Sequence, residues 1–326
     1  MYLKKILTTV LALCSVCISS QAAAVTSNYP NKPIKFVIGY PPGGPSDIMT
    51  RLVAAKLQVK LGQSVIVENR PGAGGNIATD YVKRESADGY TLLLGTVAHA
   101  TNMSVYNNLN YDTLKDFIPV VQFMSAPTVL VVNSKSSYKT VNDLIEDAKK
   151  YPHKLSYAST GIGGTPHLAG EELKLKSGAD IMHVPSKGAS PALNDLLGGY
   201  VTMSFMTYSG AIQQINAGTL RPIAIAGQSR YKGLPDVPTV IESGIKDFTD
   251  ISSWNGLFVK TGTPDHIVQL LNKNINEILS TEEIQKQIEI EGALAIGGTS
   301  QEFAHYVKDE INKWAAIVSS AGIKPQ

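Results

Sequence analysis

The chain has 326 residues, 43% hydrophobic and 17% charged, with a mean hydropathy of -0.00. That length accommodates two domains of ordinary size, and the composition excludes both a disordered polyelectrolyte and a polytopic membrane protein. Lys and Arg number 29 against 27 Asp and Glu; with Lys4 and Lys5 assigned to a removed leader the two sides balance at 27, which leaves no electrostatic footing for nucleic acid or an anionic membrane surface.

Residues 1-24 read as a signal peptide. Lys4 and Lys5 precede an apolar run from Ile6 to Ile18, and Ser19-Ser20-Gln21-Ala22-Ala23-Ala24 supplies small residues for cleavage after Ala24. The run falls short of the roughly 20 apolar residues that span a bilayer. Both cysteines, Cys14 and Cys17, lie inside it and lack the small preceding pair of a lipid-bearing cysteine. The mature chain is then free of cysteine, which suits an oxidising periplasm and excludes disulfides, thiolate nucleophiles and sulfur-ligated metal.

Beyond the leader one unit recurs: a short apolar run, a Gly- and Pro-rich loop, then helical spacing. Ile34 to Ile38 reads as a strand, Tyr40-Pro41-Pro42-Gly43-Gly44-Pro45-Ser46 as a loop, and Ile48, Leu52 and Ala55 as one helical face ended by Gly62. A strand beginning at Val65 to Val67 runs into Asn69-Arg70-Pro71-Gly72-Ala73-Gly74-Gly75, followed by a helix carrying Ile77, Tyr81 and Val82. After a turn at Asp88-Gly89, Tyr90 to Leu94 is a strand and Thr96-Val97-Ala98-His99-Ala100 a further loop. Val129 to Val132 is the fourth strand, and Val141, Leu144, Ile145 and Ala148 mark a helix that Thr140 or Asn142 would cap. Leu155 to Ala158 leads into Ser159-Thr160-Gly161-Ile162-Gly163-Gly164-Thr165-Pro166-His167, where Pro166 suits a first helical turn. Ile181 to Val184 leads into Pro185-Ser186-Lys187-Gly188-Ala189-Ser190-Pro191, then a helix through Leu193, Leu196 and Leu197. Met203 to Met206 and Arg221 to Ala226 are later strands, and the chain from Pro264 onward is helical.

In open α/β sheets ligands sit beyond the carboxyl ends of strands. Four glycine-rich loops stand there, each opening a helix whose free amides and dipole favour negative charge. Shared between two lobes, they would hold an anion in the intervening cleft without net positive charge. Each residue also has a plainer reading. Any single glycine, such as Gly43, Gly44, Gly72 or Gly163, answers to a tight turn. Asp47 at a helix start favours capping over ligand contact, Ser46 is freer to face the cleft, and His167 divides between ligand donor and packing residue. Lys187 is the only cation in these loops besides Arg70.

Enzyme signatures are weak. No G-x-S-x-G elbow and no P-loop occurs, and Gly72-Ala73-Gly74-Gly75-Asn76-Ile77 ends in Ile where a dinucleotide fingerprint needs Gly or Ala. The six histidines form no H-x-x-x-H pair, so neither a metal nor another cofactor is expected. A Ser, His and Asp assembled from distant loops is a matter of geometry alone.

The segments YPNKPIKFVIGYPPGGPSD, VIVENRPGAGGNIATDYV, DGYTLLLG, YDTLKDFIPV, LSYASTGIGGTPHLAGEEL, HVPSKGASPALNDLLGG, LRPIAIAG, LPDVPTVIESG and TGTPDHI follow one another from Tyr29 to the end of the chain. In order and spacing they resemble the substrate-binding proteins of tripartite tricarboxylate transporters, the Bug family. The resemblance implies an α/β, two-lobed type II periplasmic binding protein (Venus-flytrap) fold with a ligand cleft between the lobes. It assigns residues 25-126 to lobe 1, 127-240 to lobe 2, and 241-326 to a return segment and C-terminal helices of lobe 1. It implies a monomer that captures a small organic carboxylate in the periplasm and delivers it to membrane permease subunits, without catalysis. A sensory receptor for a signalling system is the alternative, and a hydrolase using His99 or His167 stands well behind.

By the same resemblance the carboxylate is held by backbone groups and bridging waters from Tyr40, Pro42, Gly43, Gly44, Pro45, Ser46 and Asp47. Gly72, Ala73, Thr96, Ala98 and His99 flank it. Lobe 2 contributes Ser159, Thr160, Gly163, Thr165, His167, Lys187, Gly188 and Ala189, with Thr207 and Tyr208 after the strand ending at Met206. Ser186 stands where the family usually has an aromatic residue, which thins the expected pocket rim, and Gly39-Tyr40 stands where Pro with an aromatic is frequent.

Overall fold

The computed structural model describes residues 29-325, so the expected signal peptide, with Cys14 and Cys17, lies outside the described residues. Among the described residues no helix is long and apolar enough to cross a membrane.

The first sheet is built as the strand and loop pattern predicts. β1 (Ile34–Ile38) pairs in parallel with β2 (Val65–Asn69) on one side and β3 (Thr91–Thr96) on the other. Parallel neighbours need crossovers, supplied by helix α1 (Pro45–Leu61) and by α2 (Asn76–Arg84). Gly62 ends α1 in the left-handed conformation, φ 65, with its N–H on the Gln58 carbonyl, as its position after the last apolar repeat predicts. All six residues of β3 are buried, because helices cover both faces of the sheet.

The segment read as a loop after β3 is helical instead: α3 spans Ala98–Val105, with Val97 as its first capping residue. Two turns of small and polar residues leave too little apolar periodicity for a sequence reading to register.

The apolar run at Val129 to Val132 is the end of a much longer strand, β4 (Phe117–Asn133), which follows the one-turn helix α4 (Thr113–Asp116). Prolines at 119 and 127 argue against a continuous strand. The structure accommodates Pro119 beside a register shift, and Pro127 where the strand leaves one sheet for another. Residues 117-127 pair antiparallel with β9 (Ser252–Lys260), whereas Thr128 to Asn133 pair with β7 (Met203–Thr207) and β8 (Leu220–Ile225). β4 is thus one of two connections between the sheets among the described residues; the other is the chain leading back from β8 into β9.

The second sheet repeats the plan. β7, β5 (Leu155–Ser159) and β6 (Ile181–Pro185) run in parallel. Around them lie α5 (Val141–Lys150), α6 (Thr165–Ser177), α7 (Ala189–Leu197) and α8 (Tyr208–Asn216). Thr140 caps α5 in a reciprocal capping box with Asp143, and Pro166 occupies the first turn of α6.

The chain then closes on the first sheet. α9 (Asp265–Leu279) packs on α1, α10 (Glu282–Ile290) leads to β10 (Leu294–Gly297) on β4, and α11 (Ser300–Ser320) lies across β4 and α3. α11 is fastened through aromatic residues. Phe303 meets Trp254 edge-on at 5.6 Å and Phe258 at 5.2 Å. The buried carboxylate of Glu310 accepts the indole N–H of both Trp254 and Trp314 at 3.0 Å, and Lys313 adds a charged contact. A desolvated carboxylate is tolerable there because its lone pairs are filled.

Candidate ligand-binding site

A cavity of 520 Å³ lies between the two sheets, within the range of small-molecule sites. Tyr40, Gly74, Val97, Ala98, Thr101, Asn102, Val105 and Tyr106 line it from the first lobe. The second lobe supplies Thr160 to Pro166, Ala189, Ala192, Ser204 to Thr207 and Gly210. The lobes touch beside it at Gly163, where φ is 77 and an added Cβ would lie 3.0 to 3.1 Å from three side-chain atoms of Val105. Only glycine combines that backbone with that approach.

Four helices begin at this cavity: α3 at Val97, α6 at Gly164, α7 near Ala189 and α8 at Thr207. No side chain caps α6 or α7, whereas Thr96 Oγ1 accepts the Ala98 N–H at 3.3 Å at the start of α3 and Thr207 accepts the Gly210 N–H into α8. Their amides and the positive ends of their dipoles converge on one space, an arrangement suited to a carboxylate. Among the described residues, none that lines the cavity carries a charged side chain.

The expected site residues divide into a lining and a support. Tyr40, Ala98, Thr160, Gly163, Thr165, Ala189 and Thr207 line the cavity. Thr96 and Tyr40 are joined through their hydroxyls at 2.8 Å, so the end of β3 holds the Tyr40 ring at the cavity wall. Burial raises the Tyr40 pKa, keeping it a neutral phenol. Pro42, Gly43, Gly44 and Pro45, in the loop and first turn of α1, are outside the lining, and Ser46 lies 3.4 Å from the Asn255 amide of β9. Gly72 and Ala73 are exposed at the start of a short 3-10 turn, Ala73–Gly75, whose middle residue, Gly74, reaches the cavity. Lys187 is exposed and Gly188 precedes α7, both outside the lining, and Tyr208 packs edge-on against Tyr231 in the second lobe's core.

Asp47 serves the loop rather than the helix-cap position, which Gly44 takes. Its carboxylate accepts the Gly43 N–H at 2.9 Å, the Arg51 guanidinium at 3.0 Å and the Asn69 amide at 2.8 Å. Asn69 also donates to the Tyr40 carbonyl. The first glycine loop is therefore clamped to the end of β2. The Arg51 hydrogen bond leads the causes that hold the Asp47 carboxyl down at about 2.

Two buried histidines perform a parallel task, one in each lobe. His99 Nδ1 accepts the Thr96 N–H at 3.0 Å, so the opposite nitrogen carries the proton and donates to Thr79 Oγ1 at 2.9 Å. Thr79 passes its own proton to the Gly75 carbonyl. One chain of hydrogen bonds thus joins the end of β3, the start of α3 and the second glycine loop, and burial pushes His99 down to about 4. His167 Nδ1 accepts the Gly163 N–H at 3.0 Å and its ring stacks on His183 at 4.1 Å. His183 stacks in turn on Tyr157 and lies 2.7 Å from Ser159 Oγ. Burial lowers the pKa of both imidazoles, His183 to about 4. Neither His99 nor His167 lines the cavity, and each is engaged through Nδ1 by its own loop. Among the described residues no group of three or more His, Cys, Asp or Glu could hold a metal.

A sequence reading misses most of the first-lobe wall. Val97 and Ala98, Thr101 and Asn102, Val105 and Tyr106 recur every four residues, the signature of one helical face, but the segment reads as a loop. Phe205 and Met206 line the far wall from within β7, where a period of two is obscured by burial.

Comparison with known proteins accords with this architecture. The profile of the tripartite tricarboxylate transporter family receptor matches residues 49-323. Protein BugT of Bordetella pertussis is 37% identical over 306 residues, 93% of this chain and 94% of BugT. Among solved structures, R. palustris Rpa4515 with adipate superposes with a TM-score of 0.82 at 35% identity, covering 91% of this chain and all (100%) of that one. The periplasmic binding protein BugD superposes with a TM-score of 0.78 at 33% identity, covering 91% and 100%. The two sheets joined by β4 are accordingly the two lobes of a periplasmic binding protein, a fold whose relatives here bind solutes and are not enzymes. With the receptor profile spanning most of the chain and a relative at 37% identity over nearly all of it, the chain belongs to the tripartite tricarboxylate transporter receptor family, also called Bug proteins.

Proposed function

We propose that this protein captures a small organic carboxylate in the periplasm and delivers it to the membrane permease subunits of a tripartite tricarboxylate-type transporter. The observation that carries the reading is the convergence of four helix N-termini, from both lobes, on one uncharged cavity. The adipate in the R. palustris relative supports the ligand class. One lobe comprises the described chain before residue 127 and from β9 onward, and residues 127-251 form the other: the segment expected to return to lobe 1 at 241 stays on the second sheet, with Phe248 stacked on Phe205 and the Thr249 N–H donated to Glu172. The ligand bridges them, and the closed population rises by its differential affinity for the two states. The leader of residues 1-24 directs export, and the closed monomer is the form the permease recognises. Tyr40, Ala98, Thr160, Gly163, Thr165, Ala189 and Thr207 contact the ligand, while Asp47, His99 and His167 hold the contacting loops in shape.

Thermal unfolding of ligand-stripped protein, residues 25-326, against a panel of carboxylates and neutral amides tests capture. Ligand at 100 times its Kd adds about 2.7 kcal/mol, a rise of a few degrees in Tm. Silence across the panel would refute carboxylate capture. Loss of uptake on deletion of the permease genes tests delivery, and intact uptake would move the protein to a sensory role.

A further inference from the structure

The loop that carries the second lobe against the first hangs on two stacked imidazoles. Residues Thr160 to Gly164 all line the cavity, and Gly163 among them meets Val105 of the first lobe. The Gly163 N–H is given to His167 Nδ1 at 3.0 Å. Nearer the strand, Ser159 Oγ accepts the Gly161 N–H at 3.2 Å and donates to the Gly161 carbonyl at 3.1 Å. With its own proton spent there, Ser159 receives a proton from His183 Nε2 at 2.7 Å. The His183 ring lies between two others, stacked on His167 at 4.1 Å and on Tyr157 at 4.9 Å.

The two rings differ in what an added proton does. His183 already donates through Nε2, so a second proton leaves its bond to Ser159 intact. His167 accepts through Nδ1, so a proton there sets two donors against each other across 3.0 Å and the Gly163 N–H loses its partner. Rings at 4.1 Å repel a second charge, and the pair takes one proton at a time. Two charged groups act on both rings, and both come from α6: Glu171 favours the charged form, and Lys174, 2.8 Å from Glu171, opposes it. Tyr157 of β5 donates its hydroxyl to Glu171 at 2.7 Å and stays a neutral phenol. Of the other groups nearby, Lys187 is exposed, Asp195 of α7 accepts the Ser186 hydroxyl, Glu172 accepts the Thr249 N–H, and the first lobe faces the loop with uncharged Val105. We infer that His167 makes lobe closure proton-sensitive: a proton at its Nδ1 frees Gly163, the loop leaves Val105, and the captured ligand is released in acid. This rests on the carboxylate-capture reading and adds a control to the same site. Because burial lowers the His167 pKa from 6.5 while the loop is in place, affinity is full above about pH 6.5 and falls as pH drops below it.

His167→Asn separates the proton from the bond, since the Asn Oδ1 can accept the Gly163 N–H and does not titrate. The first readout needs no ligand. NMR of the ligand-stripped protein, residues 25-326, follows the Gly163 amide and the imidazole rings as pH falls from about 7.5 to about 4.5, across the ordinary imidazole range. In the wild type the Gly163 amide should move with the His167 ring; in the variant it should hold its place. A Gly163 amide indifferent to the His167 ring, or a proton taken by His183 while His167 stays neutral, would overturn the inference and leave carboxylate capture standing. The second readout is isothermal titration with adipate near pH 7 and pH 5. The wild-type Kd should rise about tenfold more between them than the Kd of His167→Asn, within the limit of tenfold per pH unit for one proton. Protonation of adipate, His99 and His183 is common to both chains and cancels when the two ratios are compared. Equal ratios would overturn the inference alone. No binding of adipate by the wild type near pH 7 would overturn it together with capture of that acid.

Discussion

His99 offers the sharpest test of how the site is held. Its ring is 3% exposed, accepts the Thr96 N–H and donates to Thr79. A second proton on Nδ1 would set two donors against each other. Burial is the main cause that moves its pKa from 6.5 to about 4, and the Thr96 N–H contact opposes it only in part. An imidazole whose folded pKa lies below its unfolded value binds fewer protons when folded, so stability is full above about pH 6.5. It falls as pH drops through that value, and the loss is complete near pH 4. The separation corresponds to about 3 kcal/mol at most, at 1.36 kcal/mol for each pH unit. His99→Leu removes this dependence and, at neutral pH, costs about 1 to 3 kcal/mol through the unpaired Thr96 N–H. Urea unfolding of both proteins at pH 7, 6, 5 and 4 should show the wild type losing its advantage over the variant as pH falls. His183 and His167 titrate in the same direction but are common to both chains and cancel in the difference. A stability gap constant from pH 7 to 4, or a His99 ring that titrates near 6.5 by NMR, would refute the reasoning.

Asp47→Asn keeps the shape of the loop clamp but removes its charge, and should lower stability by about 1 to 2 kcal/mol at pH 7, read by thermal unfolding. Because the Asp47 carboxyl sits at about 2, the wild type keeps this contribution above about pH 4 and loses it as pH falls toward 2. Gly163→Ala sets a methyl against Val105 in a backbone of φ 77, so closure should weaken and Kd rise about tenfold, with small-angle scattering showing a wider liganded form. Thr160→Val removes a free hydroxyl from the cavity and should raise Kd about fivefold to tenfold with Tm unchanged within a degree or so. Glu310→Ala leaves two buried indole N–H groups unpaired, and a loss of about 3 kcal/mol should appear in urea unfolding as α11 loosens from β9.

Wherever one segment carried its own signal, the sequence was enough. Alternation of apolar runs with glycine loops announced parallel strands and crossover helices, and Gly62, Thr140 and Pro166 marked helix ends by local chemistry alone. The family segments from Tyr29 onward named the fold and the cleft. Contacts between distant segments decided the remainder. Pro119 and Pro127 contradict a strand locally, yet β4 runs through both because a register shift and a change of sheet absorb them. The helix at Ala98–Val105 is settled by His99 bonding back to Thr96 and across to Thr79, and by its packing against α11. Likewise Asp47, His99 and His167 stand in first helical turns beside loops that the family resemblance assigns to the ligand, and only the folded chain shows them bonded to the backbone of those loops. A residue's type says which bonds it can make; the neighbours brought to it by tertiary packing decide which of them are already taken.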